Sequence, residues 1–160
     1  MTAPGLGREH RTRHGDPGPP AWAVQVYRWL VAVRASRSLK LELPAVPQSA
    51  SRARHAVAQL LHGLDVDAWP VGVVVSEAVT NAVVHGYRDS ESGRVELEAS
   101  LERRVLTLVV VDHGVGMSPH PERPGLGLGL ALIRRLAEHV ELESSGGTRL
   151  LVRLRLNPMS

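Results

Sequence analysis

Between residues 73 and 86 the chain is built almost wholly from small and apolar side chains, broken at regular intervals by Glu77, Asn81 and His85. The three polar residues stand four apart, so a helix stacks them on one face, one turn above the next. A helix this apolar is stable only when packed against another layer. Each polar group on its inner stretch then costs free energy unless something satisfies it. A ligand bearing phosphates and a metal ion would do so. A solvated polar stripe on the helix surface is the competing reading of the same spacing.

The rest of the chain limits what that second layer can be. With 160 residues there is room for one ordinary domain. Hydrophobic residues make up 43% and charged residues 22%, enough apolar material for a real core and too much for a disordered chain. No apolar run reaches the roughly 20 residues that span a bilayer. The longest, residues 21–33, is interrupted by Gln25 and Arg28. Residues 1–20 lack the apolar stretch of a secretory signal, and the absence of cysteine excludes disulfides and thiolate metal sites. Cytoplasm is the expected location. The net charge is +3, carried by arginines spread through every segment, with Lys40 the single lysine. Arg8, Arg11 and Arg13 fall in a Gly/Pro-rich tail without aromatic residues between them, the composition of a solvated tail rather than a nucleic-acid arm.

The chain divides into an extension and a domain. Residues 1–37 read as a flexible N-terminal extension, with a short helix at 21–34 whose Trp22, Val26, Trp29 and Val33 share one face. That stripe suits packing on the domain, docking a partner, or neither. From residue 38 to 157 the order is β-α-α-β-β-α-β-β. A strand over Leu39, Leu41 and Leu43 stops at Pro44. Ser49 or Ser51 caps a helix with Ala53, Val57, Leu60, Leu61 and Leu64 as its apolar positions. Asp67 opens a second helix with Pro70 in its first turns, ending near Gly86. Strands at 94–101 and 105–111 flank a tight charged connection. A loop rich in Gly and Pro spans 112–125, a helix covers 128–139, and strands at 140–143 and 150–156 close the domain. This order predicts an α+β two-layer sandwich, with helices on one face of a mixed, mostly antiparallel sheet.

Three further segments carry chemistry. Asp112, Gly114 and Gly116 follow directly on an apolar strand, placing a carboxylate at the sheet margin where glycines let the backbone approach a flat ligand. An ordinary turn has the same composition. Gly125, Gly127 and Gly129 open a helix, whose exposed N–H groups suit an anion. Neither a Rossmann unit nor a Walker lysine accompanies them. Thr148, after two glycines, offers a hydroxyl near the Asp112 site or forms part of a hairpin turn.

Taken in order, these segments resemble the N, G1, G2 and terminal Gly-Thr boxes of the histidine kinase-like ATPase superfamily, which includes gyrase, the ninety-kilodalton heat-shock chaperones, histidine kinases and MutL. Residues 73–87 look very like the anti-sigma factor serine kinases, the sporulation anti-sigma factor AB and RsbW group, and the resemblance runs from about 39 to 156. It implies the Bergerat-type ATP-binding fold. It implies Glu77 as general base toward a serine hydroxyl, Asn81 as the Mg²⁺ ligand, and His85 beside phosphate. Asp112 would read adenine, Gly114 and Gly116 would line the base, and Thr148 would join through a water. Gly125, Gly127 and Gly129 would face the phosphates. Arg54 falls where such proteins present an arginine to their partners. The lid, residues 117–124, is short, rich in proline, and lacks the paired threonines of the sporulation kinases.

The function so implied is an ATP-binding anti-sigma regulator that sequesters a sigma factor and phosphorylates a serine of an anti-anti-sigma antagonist. A homodimer is expected, with no direct contact to nucleic acid or membrane. The short lid favours a second reading, an ATP-binding partner-switch module without turnover. A detached histidine-kinase catalytic domain fits less well, because residues 21–33 hold no phosphoacceptor histidine. A DNA-binding role would rest on basic charge alone.

Overall fold

The computed structural model describes residues 37–87, 93–114 and 126–159. The helix expected at 21–34, the lid at 117–124, Gly116 and Gly125 lie outside the described residues.

Strand β1 (Arg37–Pro44) leads into helix α1 (Gln48–Leu60) and helix α2 (Trp69–Gly86). Strands β2 (Arg94–Glu102) and β3 (Val105–Asp112) form a hairpin; helix α3 (Leu126–Leu136) and strands β4 (His139–Ser144) and β5 (Thr148–Arg155) complete the order. The sheet order is β1-β2-β3-β5-β4, and every pairing is antiparallel. The expected two-layer α+β sandwich is borne out, with every strand pair among the described residues antiparallel rather than mixed. β4 does run in the same direction as β3, but β5 folds back between them and no parallel pair forms.

Strand periodicity places the core. Val95, Leu97, Ala99 and Leu101 of β2, Leu106, Leu108 and Val110 of β3, and Leu150, Val152 and Leu154 of β5 alternate onto the helix-covered face and are buried. Shielding a leucine fully is worth about 1.5–3 kcal/mol, so this face supplies much of the driving force. α2 lies across it through Val71, Val74, Val75, Ala78, Val79 and Ala82, the three-and-four spacing of one helical face. α1 packs beside α2 over β1 and β2, and α3 packs against α2 and β4.

Several local expectations shift. No serine caps α1: Ser49 lies within its first turn, and its buried hydroxyl donates to Pro44 O at 2.6 Å. Leu64 falls beyond the end of α1, past Gly63 at φ 78°, and is partly exposed rather than part of the core. Asp67 does act at the start of α2, its carboxylate accepting the Trp69 N–H at 3.0 Å. α3 begins and ends earlier than expected, because His139 is taken into β4. In the β2–β3 hairpin Arg103 and Arg104 adopt φ 46° and 69°. Two-residue hairpin loops demand this left-handed geometry, and here two arginines supply it where Asn-Gly is usual. The Leu156 N–H donates to Arg104 O at 2.8 Å and ties the turn to the end of β5.

Candidate functional site

The sheet register carries one polar pair into the core face. Asp112 continues the inward phase of Leu106, Leu108 and Val110, and Thr148 that of Leu150, Val152 and Leu154. The two residues are register partners across β3 and β5, and both are buried. Asp112 Oδ1 accepts the Gly114 N–H at 3.1 Å, an Asx-type turn that folds the chain back over the carboxylate. Thr148 Oγ1 is buried and has no hydrogen-bond partner among the described residues. Such an atom is stable only if a ligand or ordered water reaches it.

Close glycine contacts bring α2 up to this pair. A methyl group on Gly86, the last residue of α2, would sit 2.7 Å from Asp112 Oδ1. One on Gly114 would collide with Gly86 O, and one on Gly147 (φ 126°) with Asp112 O. Helix end, strand end and the β4–β5 turn thus converge on Asp112, and side chains at these positions would hold them apart. Tyr87 fastens the junction: its hydroxyl accepts the His113 N–H at 3.0 Å and donates to Arg94 O at 2.5 Å. The sequence holds a Tyr at that point but gives no sign of this bridging role, which depends on two segments distant in the chain. His113 Nε2 in turn lies 3.0 Å from Glu96 Oε1.

Nearer the start of α2, its polar face meets α3. Glu77, Asn81 and His85 are placed on successive turns, with Glu77 and Asn81 half-buried. A methyl group on Gly129, in the first turn of α3, would lie 2.5 Å from Glu77 Oε2 and 3.4 Å from Asn81 Nδ2. The free N–H groups that open a helix therefore stand beside a carboxylate and an amide. Gly127 belongs to the same first turn. From Glu77 to Gly86 the helix rises about 13.5 Å, a span suited to a ligand with a flat ring at one end and a chain of phosphates at the other. Arg54 of α1 is also turned inward to α2, its guanidinium donating to Ser76 Oγ at 3.0 Å.

The donor set fits a magnesium–nucleotide ligand. Among the described residues no group of three or more His, Cys, Asp or Glu side chains could hold a metal unaided. Mg²⁺ needs no such cage; it keeps waters and phosphate oxygens and accepts a single protein oxygen such as an amide. The orphaned Thr148 hydroxyl beside a buried carboxylate suits a base with both donors and acceptors on its edge.

The histidine kinase-like ATPase domain family matches residues 43–156. The chain belongs to that family. Among relatives of this histidine kinase-like ATPase, the anti-sigma F factor of Clostridium kluyveri is 35% identical over 139 residues, covering 77% of this chain and 97% of the relative. The anti-sigma F factor of Bacillus subtilis is 31% identical over 130 residues, covering 72% and 89%. A crystal structure of the RsbU and RsbW domains of a Mycobacterium tuberculosis protein superposes with a TM-score of 0.59 at 25% identity, over 78% of this chain and 34% of the larger one. No helix among the described residues is long and apolar enough to cross a membrane.

Proposed function

We propose that this chain is an ATP-binding anti-sigma regulator of the partner-switching kind, which sequesters a sigma factor and phosphorylates a serine of an anti-anti-sigma antagonist. The observation that carries the reading is the contact of Gly129 with Glu77 and Asn81, which sets an anion-binding helix start against a carboxylate–amide pair. The similarity to anti-sigma F factors over nearly their whole length supplies the partners.

In this reading Asp112 accepts a hydrogen bond from the exocyclic amine of adenine, and Thr148 joins through a water. Gly114 and Gly116 line the ring. Gly125, Gly127 and Gly129 leave backbone N–H groups free for the phosphates, with His85 beside them. Asn81 supplies an amide oxygen to Mg²⁺, which when bound neutralises phosphate charge. Glu77 takes the proton of the antagonist's serine hydroxyl as that oxygen bonds to the terminal phosphorus. The bond to the bridging oxygen breaks and ADP leaves. The protein acts as a homodimer in the cytoplasm, without direct nucleic-acid contact.

The short lid supports a second reading, a partner switch that binds ATP without transferring phosphate. Radiolabelled ATP separates the two. The expected result is a labelled serine on the antagonist, with labelling about 10²–10⁴-fold lower in Glu77→Ala while nucleotide affinity is retained. Magnesium-dependent nucleotide binding by calorimetry with no labelling of any antagonist would favour the second reading. No binding heat at all would overturn both.

A further inference from the structure

Between α1 and α2 lies a groove that meets the proposed nucleotide site only at Glu77. It encloses about 550 Å³ and is lined mainly by apolar side chains, among them Ala58, Leu61, Trp69 and Val73, with Arg54 and Glu77 toward its far end. Trp69 is 66% exposed, which leaves an indole ring largely in water at the groove's other end. A largely exposed aromatic in an apolar channel between two helices suits the apolar face of a third amphipathic helix.

The sequence of residues 21–34 has the pattern of one. Trp22, Val26, Trp29 and Val33 make an apolar stripe on a single helical face, and the stripe runs about 16.5 Å along a helix. The groove wall from Trp69 to Glu77 runs about 12 Å along α2, so the stripe covers it with nearly one helical turn to spare. The described chain starts within side-chain reach of the end of α1 that borders this groove. Arg37 donates to Leu60 O at 2.9 Å and to His62 O at 2.7 Å, holding the first residue of β1 at the end of α1 where Leu61 lines the channel. Only Arg34, Ala35 and Ser36 separate Val33 from Arg37, a reach of up to about 14 Å. A helix of this length is marginal in water and gains its stability by packing its apolar face. So short a tether holds it near the groove at about millimolar effective concentration.

We propose that residues 21–34 seat as a helix in the α1–α2 groove of their own chain, laying Trp22, Val26, Trp29 and Val33 over Trp69, Ala58 and Leu61. The seated segment is a third helix of the outer layer and covers the face that carries Arg54. The proposal involves no nucleotide, so its test is run without one.

The chain contains no cysteine, so an introduced pair reports one proximity. In the full-length protein, Val26→Cys with Ala58→Cys is expected to form an intramolecular disulfide about tenfold faster than Val24→Cys with Ala58→Cys, because Val24 lies on the opposite side of the helix. A second measurement guards against a folding defect. Trp22→Phe with Trp29→Phe leaves Trp69 as the sole tryptophan, and adding Val26→Asp is expected to raise its acrylamide quenching about threefold by expelling the segment. Equal disulfide rates for the two cysteine positions, or quenching unmoved by Val26→Asp, overturns the proposal. Disulfides that join two chains also overturn it, and assign the groove to a second copy.

Discussion

Asp112 and Thr148 stand opposite each other in the β3–β5 register, both buried, one accepting a backbone N–H and the other with a hydroxyl that no described group satisfies. Replacing the carboxylate by its amide in Asp112→Asn removes a charged acceptor at the position proposed for adenine. A hydrogen bond to a charged group is worth about 1.5–3 kcal/mol, so ATP affinity should fall about 10- to 100-fold in calorimetry. The same titration with the protein partner should change little.

Thr148→Val tests the other half of the pair with the opposite sign for the fold. The substitution is nearly isosteric and removes a buried hydroxyl with no partner among the described residues. Urea unfolding of the nucleotide-free protein should show stability unchanged or raised by up to about 1 kcal/mol. ATP affinity should fall about fivefold, the worth of one neutral hydrogen bond.

Gly129→Ala separates fold from function on α3. The methyl group would press Glu77 Oε2 from 2.5 Å, displacing the carboxylate while the helix gains a better helix former. That gain is up to about 1 kcal/mol of helix propensity. Thermal stability should therefore hold or rise, while the proposed phosphoryl transfer falls at least about tenfold because the proposed base leaves its position. A parallel loss of stability and transfer would contradict the contact.

Gly114→Ala should damage the fold itself. Its methyl group would collide with the carbonyl of Gly86, backbone against backbone, with no flexible side chain to yield. Overpacking of this kind costs about 1–3 kcal/mol. Denaturant unfolding should show that loss, and Gly146→Ala gives the contrast: there no atom lies within 4 Å and only the strain of φ 68° is added.

Two surface carboxylates contribute to the acid limb of stability. A hydrogen bond from His113 holds the Glu96 carboxyl below its ordinary value of 4.5, and one from His139 does the same for Glu141. A carboxyl whose pKa is lower in the folded chain stabilises it above the unfolded pKa, and that contribution disappears as pH falls through the folded value. Stability should thus decline as pH drops below about 4.5, by a small amount because both pairs are exposed. Glu96→Gln with Glu141→Gln should flatten this limb in urea titrations between about pH 5 and pH 3, and raised salt should flatten it in the wild type.

Much of this architecture was legible because it rests on short periods. The alternation at Leu39, Leu41 and Leu43, the three-and-four spacing in α2, and the Gly-bounded turns each act over a few residues, where local propensity and burial agree. The polar face of α2 could be read for the same reason: Glu77 and Asn81 share a helix face by spacing alone. Helix ends were less legible. Ser49 looked like a cap, yet its hydroxyl reaches back to Pro44, a contact that exists only once β1 is in place. The helix read as far as His139 stops at Leu136, and His139 pairs with Arg153 as the start of β4.

The sequence by itself determined which residues face inward and which polar groups share a helix face, since side-chain direction follows from the periods of helix and strand. Only the tertiary structure decided what those groups meet. The insertion of β5 between β3 and β4 makes Thr148 the neighbour of Asp112, and the packing of α3 on α2 sets Gly129 against Glu77. Both contacts join segments far apart in the chain, and their placement comes from burying one shared apolar face, a condition that no local pattern encodes.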